Sequence, residues 1–123
     1  MISAAKRAVI LIVEDDVLIR MDAAQMIAGD EFDVIEAANA DEAIAILETR
    51  LDIAVVFTDI QMPGSMDGLK LAAAVRDRWP PIKIITTSGQ ARIGCDDLPD
   101  GGLFLPKPYN AAQILKTLRE LTV

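Results

Sequence analysis

Residues 8 to 18 read AVILIVEDDVL, and they indicate the fold class more clearly than any other segment. Six apolar residues, Ala8 to Val13, lead directly into three acidic residues, Glu14, Asp15 and Asp16. A short and almost continuously apolar run is typical of a strand covered on both faces, as in a parallel sheet. Adjacent carboxylates repel one another, so their place at the end of such a strand indicates a cation nearby.

Four further apolar runs alternate with helix-like segments along the chain. Strands are predicted at Asp33–Ala37, Ile53–Thr58, Ile82–Thr87 and Leu103–Leu105, and helices at Val17–Ala28, Ala40–Arg50, Gly68–Arg78 and Ala111–Thr122. Asn39 and Asn110 are the predicted capping residues of the second and the last of these helices. The glycines and the proline of residues 91–102 favour only a short or irregular fourth helix there. Five strands alternating with helices predict one α/β domain over residues 1–123, with a parallel sheet and helices on both faces.

Composition narrows the class of protein. The 123 residues are 52% hydrophobic and 25% charged, which is typical of a compact globular domain. A net charge of −7 argues against direct nucleic-acid binding, and the apolar runs are too short to cross a membrane. The single cysteine indicates a reducing, cytoplasmic setting. Because the chain has no histidine, it has no phosphohistidine, no zinc–histidine site and no histidine-based triad.

Polar residues follow the predicted strands at the edge where parallel α/β sheets bind ligands. In chain order they are Glu14 and Asp15, Asp59, Thr87 and Ser88, and Lys107. Clustered carboxylates retain protons at neutral pH unless a cation offsets their repulsion. Oxygen ligands at a partly open site suit Mg²⁺ or Mn²⁺. A carboxylate positioned in this way can attack phosphorus and form an acyl phosphate, while the ammonium and a hydroxyl bind phosphoryl oxygens.

The motifs at these strand ends resemble those of the receiver domains of two-component response regulators. They are VEDD, TDIQMPGSMDG, TSGQ and LPKPY, and the resemblance covers essentially the whole chain. It implies a flavodoxin-like, doubly wound sheet of five parallel strands in the order 2-1-3-4-5. It also implies a phosphoprotein that accepts a phosphoryl group from a histidine kinase or a histidine phosphotransfer protein and then acts on a downstream protein target.

The resemblance implies a role for each matching residue. Asp59 corresponds to the phosphoacceptor, and Lys107 to the lysine that binds the phosphoryl group. Ser88 corresponds to the switch hydroxyl, and Thr87 is the less favoured alternative. Only one of the two hydroxyls points at the phosphoryl group, because adjacent strand residues face opposite sides.

The same resemblance implies a metal site and a switch. The implied Mg²⁺ (or Mn²⁺) ligands are Glu14, Asp15, Asp59 and the backbone carbonyl of Gln61. The implied switch residues are Ser88 and Phe104, and Gln61 and Gln90 stand at positions that tune the lifetime of the phosphoryl group. Neither amide is a good general base, so we expect slow to moderate self-dephosphorylation and no other enzyme activity.

Two other functions compete with this interpretation. One is a metal-dependent phosphohydrolase that forms an aspartyl phosphate, and the other is a receiver-like module that binds its partner constitutively. The chain is expected to be a stand-alone receiver rather than part of a larger regulator, and a monomer or a phosphorylation-dependent dimer. The short segment between Ser88 and Lys107 puts in doubt an output surface built on the fourth helix.

Overall fold

The computed structural model describes residues 7–62, 66–89 and 102–122, which contain five strands and four helices. The strands β1 to β5 are Ala8–Val13, Phe32–Ala37, Ile53–Asp59, Lys83–Ser88 and Leu103–Pro106. The helices α1 to α4 are Val17–Ile27, Ala40–Thr49, Gly68–Arg78 and Ala111–Thr122. None of these four helices is long and apolar enough to span a bilayer.

The predicted elements agree with these bounds to within one residue at every end. The predicted short fourth helix falls almost wholly on residues 90–101, which lie outside the described residues. The helix numbered α4 here is therefore the fifth predicted helix.

The five strands form a single parallel sheet in the order β2-β1-β3-β4-β5. The predicted flavodoxin-like topology is confirmed. Because all the strands run in the same direction, β1, β3, β4 and β5 end at one edge of the sheet. The order changes direction at β1, and ligands of such sheets bind beside that point.

The sheet separates two hydrophobic cores. On one side, α2 and α3 bury Leu47 and Leu71 against the strands. On the other side, α1 and α4 bury Ile27 and Ile114. Successive strand residues alternate between the two cores, which explains why β1 and most of β3 are apolar.

Polar side chains determine where the four helices begin, and Asn110 caps α4 by accepting a hydrogen bond from the N–H of Gln113. Asp16 accepts hydrogen bonds from the backbone N–H groups at the start of α1, and Asn39 and Asp67 do the same for α2 and α3. These bonds satisfy donors that a helix N-terminus leaves unpaired. The first turns of α1 and α3 are thereby fixed beside the ends of β1 and β3.

Candidate functional site

Three acidic side chains meet at the carboxyl edge of the sheet. One carboxylate oxygen from each of Glu14, Asp15 and Asp59 lies within 4.8 Å of the other two. Glu14 and Asp15 directly follow β1, and Asp59 ends the neighbouring strand β3. Glu14 and Asp59 are only 4% and 5% exposed, whereas Asp15 is exposed. The cluster is therefore closed on the protein side and open on the side of Asp15.

Lys107 brings a positive charge to this cluster from the end of β5. Its Nζ lies 3.1 Å from Glu14 Oε1 and 3.3 Å from Asp59 Oδ1. The first contact is a hydrogen bond, and the second is an ion pair without hydrogen-bond geometry. The backbone N–H of Lys107 donates to the carbonyl of Ser88 at 3.0 Å, which ties the lysine to β4. The Lys107–Pro108 peptide bond is cis.

The electrostatics of the cluster follow from its burial. Burial raises the pKa of Glu14 and of Asp59, and neither the Lys107 charge nor the local hydrogen bonds fully offset this effect. Partial burial alone would lower the pKa of Lys107, but its hydrogen bond to Glu14 and the two carboxylate charges raise it. The site therefore holds more negative charge than one lysine neutralises.

The two hydroxyls at the end of β4 have different surroundings. Thr87 is paired in register with Asp59, and residues paired in this way face the same side of a parallel sheet. Its buried hydroxyl has no hydrogen-bond partner in the part of the chain that the structure describes. The Ser88 hydroxyl donates instead to Gln61 Oε1 at 2.6 Å. Ser88 thus joins the end of β4 to the loop after Asp59.

The remaining predicted residues are placed as follows. Phe104 is half-buried on β5, in register with Thr86 of β4. Gln61 lies two residues beyond Asp59, with its side chain on Ser88. Gln90 lies outside the described residues.

Two further residues join the site without having been predicted. Arg20 of α1 donates from Nη1 to the carbonyl of Glu14 at 2.9 Å. Tyr109 packs edge-on against Phe57, with ring centroids 5.5 Å apart. Its side chain also lines a groove beside Lys107. The motif LPKPY contains Tyr109, but no sequence signal distinguishes Arg20 from an ordinary surface arginine of a helix.

The groove beside Lys107 has a volume of about 560 Å³. It runs between α1 and the segment that links β5 to α4. Its lining residues are Leu18, Ile19, Asp22, Met26, Lys107, Pro108 and Tyr109. The site edge is therefore continuous with an apolar surface on α1.

The donor set fits a small, hard divalent cation. Three carboxylate oxygens within reach of one another are ligands of the kind that Mg²⁺ prefers, and the open side leaves room for water ligands. Burial makes the ionised forms of Glu14 and Asp59 less favourable, as their raised pKa values indicate. A cation between the two carboxylates would stabilise these charged forms.

Comparisons with known proteins agree with this geometry. A family model described as the response regulator receiver domain matches residues 10–119. The chain is 35% identical over 118 residues to the sensor kinase CckA of Brucella abortus, covering 93% of this chain and 12% of the kinase. It is 32% identical over 121 residues to the hydrogenase transcriptional regulatory protein HoxA of Cupriavidus necator, covering 94% of this chain and 24% of the regulator.

A solved structure has the same architecture. The CheY-like receiver domain protein of Methanospirillum hungatei superposes with a TM-score of 0.82 at 27% identity, covering 94% of this chain and 93% of that one. The two curated relatives are much longer than the matched region, since the chain spans only 12% and 24% of their lengths.

Proposed function

This chain belongs to the response regulator receiver domain family of two-component systems, and on that premise we propose that Asp59 is its phosphoacceptor. The observation that carries the proposal is the position of Lys107, which contacts Glu14 and Asp59 at once. A buried carboxylate that ends a strand, beside a lysine and two further acids, is arranged to receive a phosphoryl group. We also propose that residues 1–123 form a single receiver domain.

The proposed reaction is a transfer from a phosphohistidine. An oxygen of ionised Asp59 attacks phosphorus, the P–N bond breaks, and the histidine nitrogen leaves with the electron pair. Mg²⁺, held by Glu14, Asp15, Asp59 and the carbonyl of Gln61, supplies charge neutralisation when it is bound. The charge of Lys107 favours the ionised form of Asp59, and its Nζ, 3.3 Å from Asp59 Oδ1, is close enough to pair with a phosphoryl oxygen.

The proposed switch depends on the hydroxyl of Ser88. In the described conformation this hydroxyl is bound to Gln61, so it must leave that acceptor in order to donate to a phosphoryl oxygen. We propose that Ser88 moves toward phosphorylated Asp59 and that Phe104 on the neighbouring strand β5 follows. Phosphorylation then acts by stabilising one of two conformers, and a downstream protein target binds that conformer better.

The surface of α1 supports a protein as the phosphoryl donor. Leu18 and Ile19, which line the groove beside Lys107, are 77% and 38% exposed. Val17 and Met21 of the same helix are also exposed. A donor whose phosphohistidine reaches Asp59 must lie over this edge of the sheet. We propose that a histidine kinase or a histidine phosphotransfer protein covers these apolar side chains during transfer.

We propose that the chain turns over no free phosphate esters. An aspartyl-phosphate hydrolase needs a second acid beside its nucleophile, and the position two residues beyond Asp59 carries the amide of Gln61. A turnover assay on simple phosphate esters in Mg²⁺ tests this point, and multiple turnovers would favour the hydrolase.

A phosphorylation experiment tests the main proposal. The wild-type chain and Asp59→Asn are incubated with acetyl phosphate and Mg²⁺, and their intact masses are compared, with Asp52→Asn as a matched carboxylate control. We expect a gain of one phosphoryl group in the wild type and in the Asp52 variant, and none in the Asp59 variant. A wild type that gains nothing, or an equal gain in Asp59→Asn, would overturn the assignment.

A further inference from the structure

We infer that Arg20 is a positioning residue for the acidic cluster, because it sets the orientation of the peptide that carries Asp15. Its Nη1 donates to the carbonyl of Glu14 at 2.9 Å, and its Nε donates to Glu36 Oε1 at 3.1 Å. The guanidinium therefore joins the end of β1 to the end of β2. The inference rests on the proposed metal-dependent function, since the acids that it positions are the proposed metal ligands.

The carbonyl of Glu14 is the point where β1 stops pairing with its neighbours. The N–H of Glu14 still donates to the carbonyl of Ala37 on β2, at 3.0 Å. The next acceptor along the chain, the Glu14 carbonyl, is bound by Arg20 instead. A peptide group is planar, so fixing this carbonyl also fixes the N–H of Asp15 and the direction in which the chain enters Asp15.

The guanidinium is itself held in place. The Arg20 side chain is 17% exposed, and a planar guanidinium presents Nε and Nη donors in a fixed relation to each other. With Nε bound to Glu36, the Nη1 group has little freedom to leave the Glu14 carbonyl. An ammonium group has no such fork, so lysine at this position would retain the charge without the geometry.

A closed ring of hydrogen bonds surrounds the turn between β1 and α1. The N–H of Asp16 donates to Glu14 Oε2 at 3.1 Å, and the N–H of Arg20 donates to the carbonyl of Asp16 at 2.9 Å. The Arg20 side chain then returns to the Glu14 carbonyl. Asp15, the exposed member of the acidic cluster, lies in this turn, and Arg20 holds the peptide that leads into it.

Arg20 and Lys107 approach Glu14 from different directions. Lys107 binds the carboxylate from β5, and Arg20 binds the backbone carbonyl from α1. The lysine contacts carboxylates of the cluster, whereas the arginine reaches the cluster only through the backbone carbonyl of Glu14. We therefore expect Arg20 to affect how tightly the cluster binds a cation more than how fast phosphorylation proceeds once the cation is bound.

Calorimetric titration of the unphosphorylated chain with MgCl₂ at constant ionic strength tests this inference. Arg20→Ala is expected to weaken Mg²⁺ binding by about 10- to 100-fold, as is common for residues that orient metal ligands. Arg20→Lys is expected to remain substantially weaker than the wild type. Arg7→Ala is the matched control, because Arg7 also pairs with an acid of β2, Asp33, but at the opposite end of the strand.

A second measurement separates positioning from a general loss of structure. In phosphorylation by acetyl phosphate, the Mg²⁺ concentration for the half-maximal rate is expected to rise in Arg20→Ala, while the rate at saturating Mg²⁺ stays close to that of the wild type. Should Arg20→Ala fold poorly, Glu36→Ala releases only the second anchor and is expected to weaken Mg²⁺ binding in the same direction. Where Arg20→Ala folds, adding Glu36→Ala to it should have little further effect on Mg²⁺ binding.

The outcomes distinguish this inference from the proposed function. Wild-type Mg²⁺ affinity in Arg20→Ala and Glu36→Ala overturns the inference. Full recovery in Arg20→Lys also overturns it, because charge rather than orientation would then be the cause. If Asp59 is not phosphorylated in the wild type but the Arg20 variants still lose Mg²⁺ affinity, the proposed function fails and the positioning role stands.

Discussion

Lys107 Nζ, at the end of β5, lies 3.1 Å from Glu14 Oε1, at the end of β1, although 93 residues separate them in the chain. Strands β3 and β4 stand between β1 and β5 in the sheet, so the lysine reaches over both strand ends. The same nitrogen also lies 3.3 Å from Asp59 Oδ1, at the end of β3. One side chain thus contacts acids from two neighbouring strands on the far side of β4.

Removing this lysine is expected to slow phosphorylation sharply. Lys107→Ala removes the ammonium group that contacts the two buried carboxylates, and it leaves the phosphoryl oxygens without a positively charged donor. The rate of phosphorylation with acetyl phosphate should therefore fall by about 100-fold. Initial rates at saturating Mg²⁺ measure the effect. Lys116→Ala, which changes an exposed lysine of α4, is the control and should match the wild type. Similar rates in the two variants would contradict the role of Lys107.

Neutralising Asp59 is expected to stabilise the metal-free fold at neutral pH. Burial raises the pKa of Asp59 above its ordinary value of 3.8, so the folded state binds the proton more tightly than the unfolded state. The wild type therefore has a contribution to its stability that is lost as the pH rises from 3.8 through the raised pKa of folded Asp59. Asp59→Asn has no such loss, so it should be the more stable protein above the raised pKa.

Urea unfolding of both proteins in EDTA, over a series of pH values, measures this difference. The advantage of Asp59→Asn should shrink as the pH falls toward 3.8 and level off below it, where wild-type Asp59 is protonated in both the folded and the unfolded state. An advantage that does not change with pH would mean that the charge of Asp59 is not its cause.

Adding Mg²⁺ is expected to stabilise the wild-type fold, because the cation binds acids that are brought together only in the folded state. At a concentration 100 times the dissociation constant, the free energy of unfolding should rise by about 2.7 kcal/mol. Thermal melts with and without MgCl₂ measure the shift, and EDTA should reverse it. The shift should be much smaller in Asp59→Asn. Equal shifts in the two proteins would place the cation elsewhere.

Gly68, the first residue of α3, is expected to tolerate no side chain. A Cβ at this position would overlap the backbone carbonyl of Asp59 and lie 2.7 Å from Ile60 Cα, both of which are main-chain atoms. Gly68→Ala should therefore destabilise the fold by about 1–3 kcal/mol and displace the end of β3. Phosphorylation of Asp59 should slow as well.

Gly29→Ala is the matched control for this prediction. A Cβ at Gly29 has no neighbour within 4 Å among the described residues, so this change should leave stability and phosphorylation almost unaffected. Chemical denaturation of both variants provides the comparison. If Gly68→Ala is as stable as Gly29→Ala, α3 does not begin as tightly against Asp59 as the structure places it.

The two hydroxyls that end β4 are expected to respond in opposite ways. Thr87→Val removes a buried hydroxyl that has no partner within the described ranges, so it should stabilise the fold by about 1 kcal/mol without slowing phosphorylation. Ser88→Ala removes the hydroxyl that is proposed to donate a hydrogen bond to a phosphoryl oxygen, and it should slow phosphorylation by about tenfold. Phosphorylation rates and free energies of unfolding, measured for both variants, test these two expectations. A slow Thr87→Val and a normal Ser88→Ala would exchange the two roles.

The order of the elements could be predicted from the sequence because it depends on local patterns. Apolar runs such as Ala8–Val13 predict buried strands, and Asn39 and Asn110 predict the starts of helices from a single capping side chain. Each cap is present in the structure, where Asn39 accepts from Glu42 N–H and Asn110 from Gln113 N–H. The acids, hydroxyls and lysine of the site could be found for the same reason, since each directly follows or ends a strand.

The contacts between those residues depend on side-chain geometry that no local pattern contains. The sequence does not indicate that Ser88 is bound to Gln61 while the Thr87 hydroxyl has no partner among the described residues, or that Gly68 packs against the carbonyl of Asp59. It also leaves Arg20 indistinguishable from other arginines, because its partners, the Glu14 carbonyl and Glu36, lie on two different strands.

The parallel α/β fold and the kinds of chemical group at its carboxyl edge follow from the amino-acid sequence alone, because hydropathy and capping act over a few neighbouring residues. Which of these groups are in contact depends on tertiary packing. Register between strands and the packing of α1 and α3 on the sheet bring residues together across the chain, and distances of about 3 Å such as those around Glu14 are set by that packing.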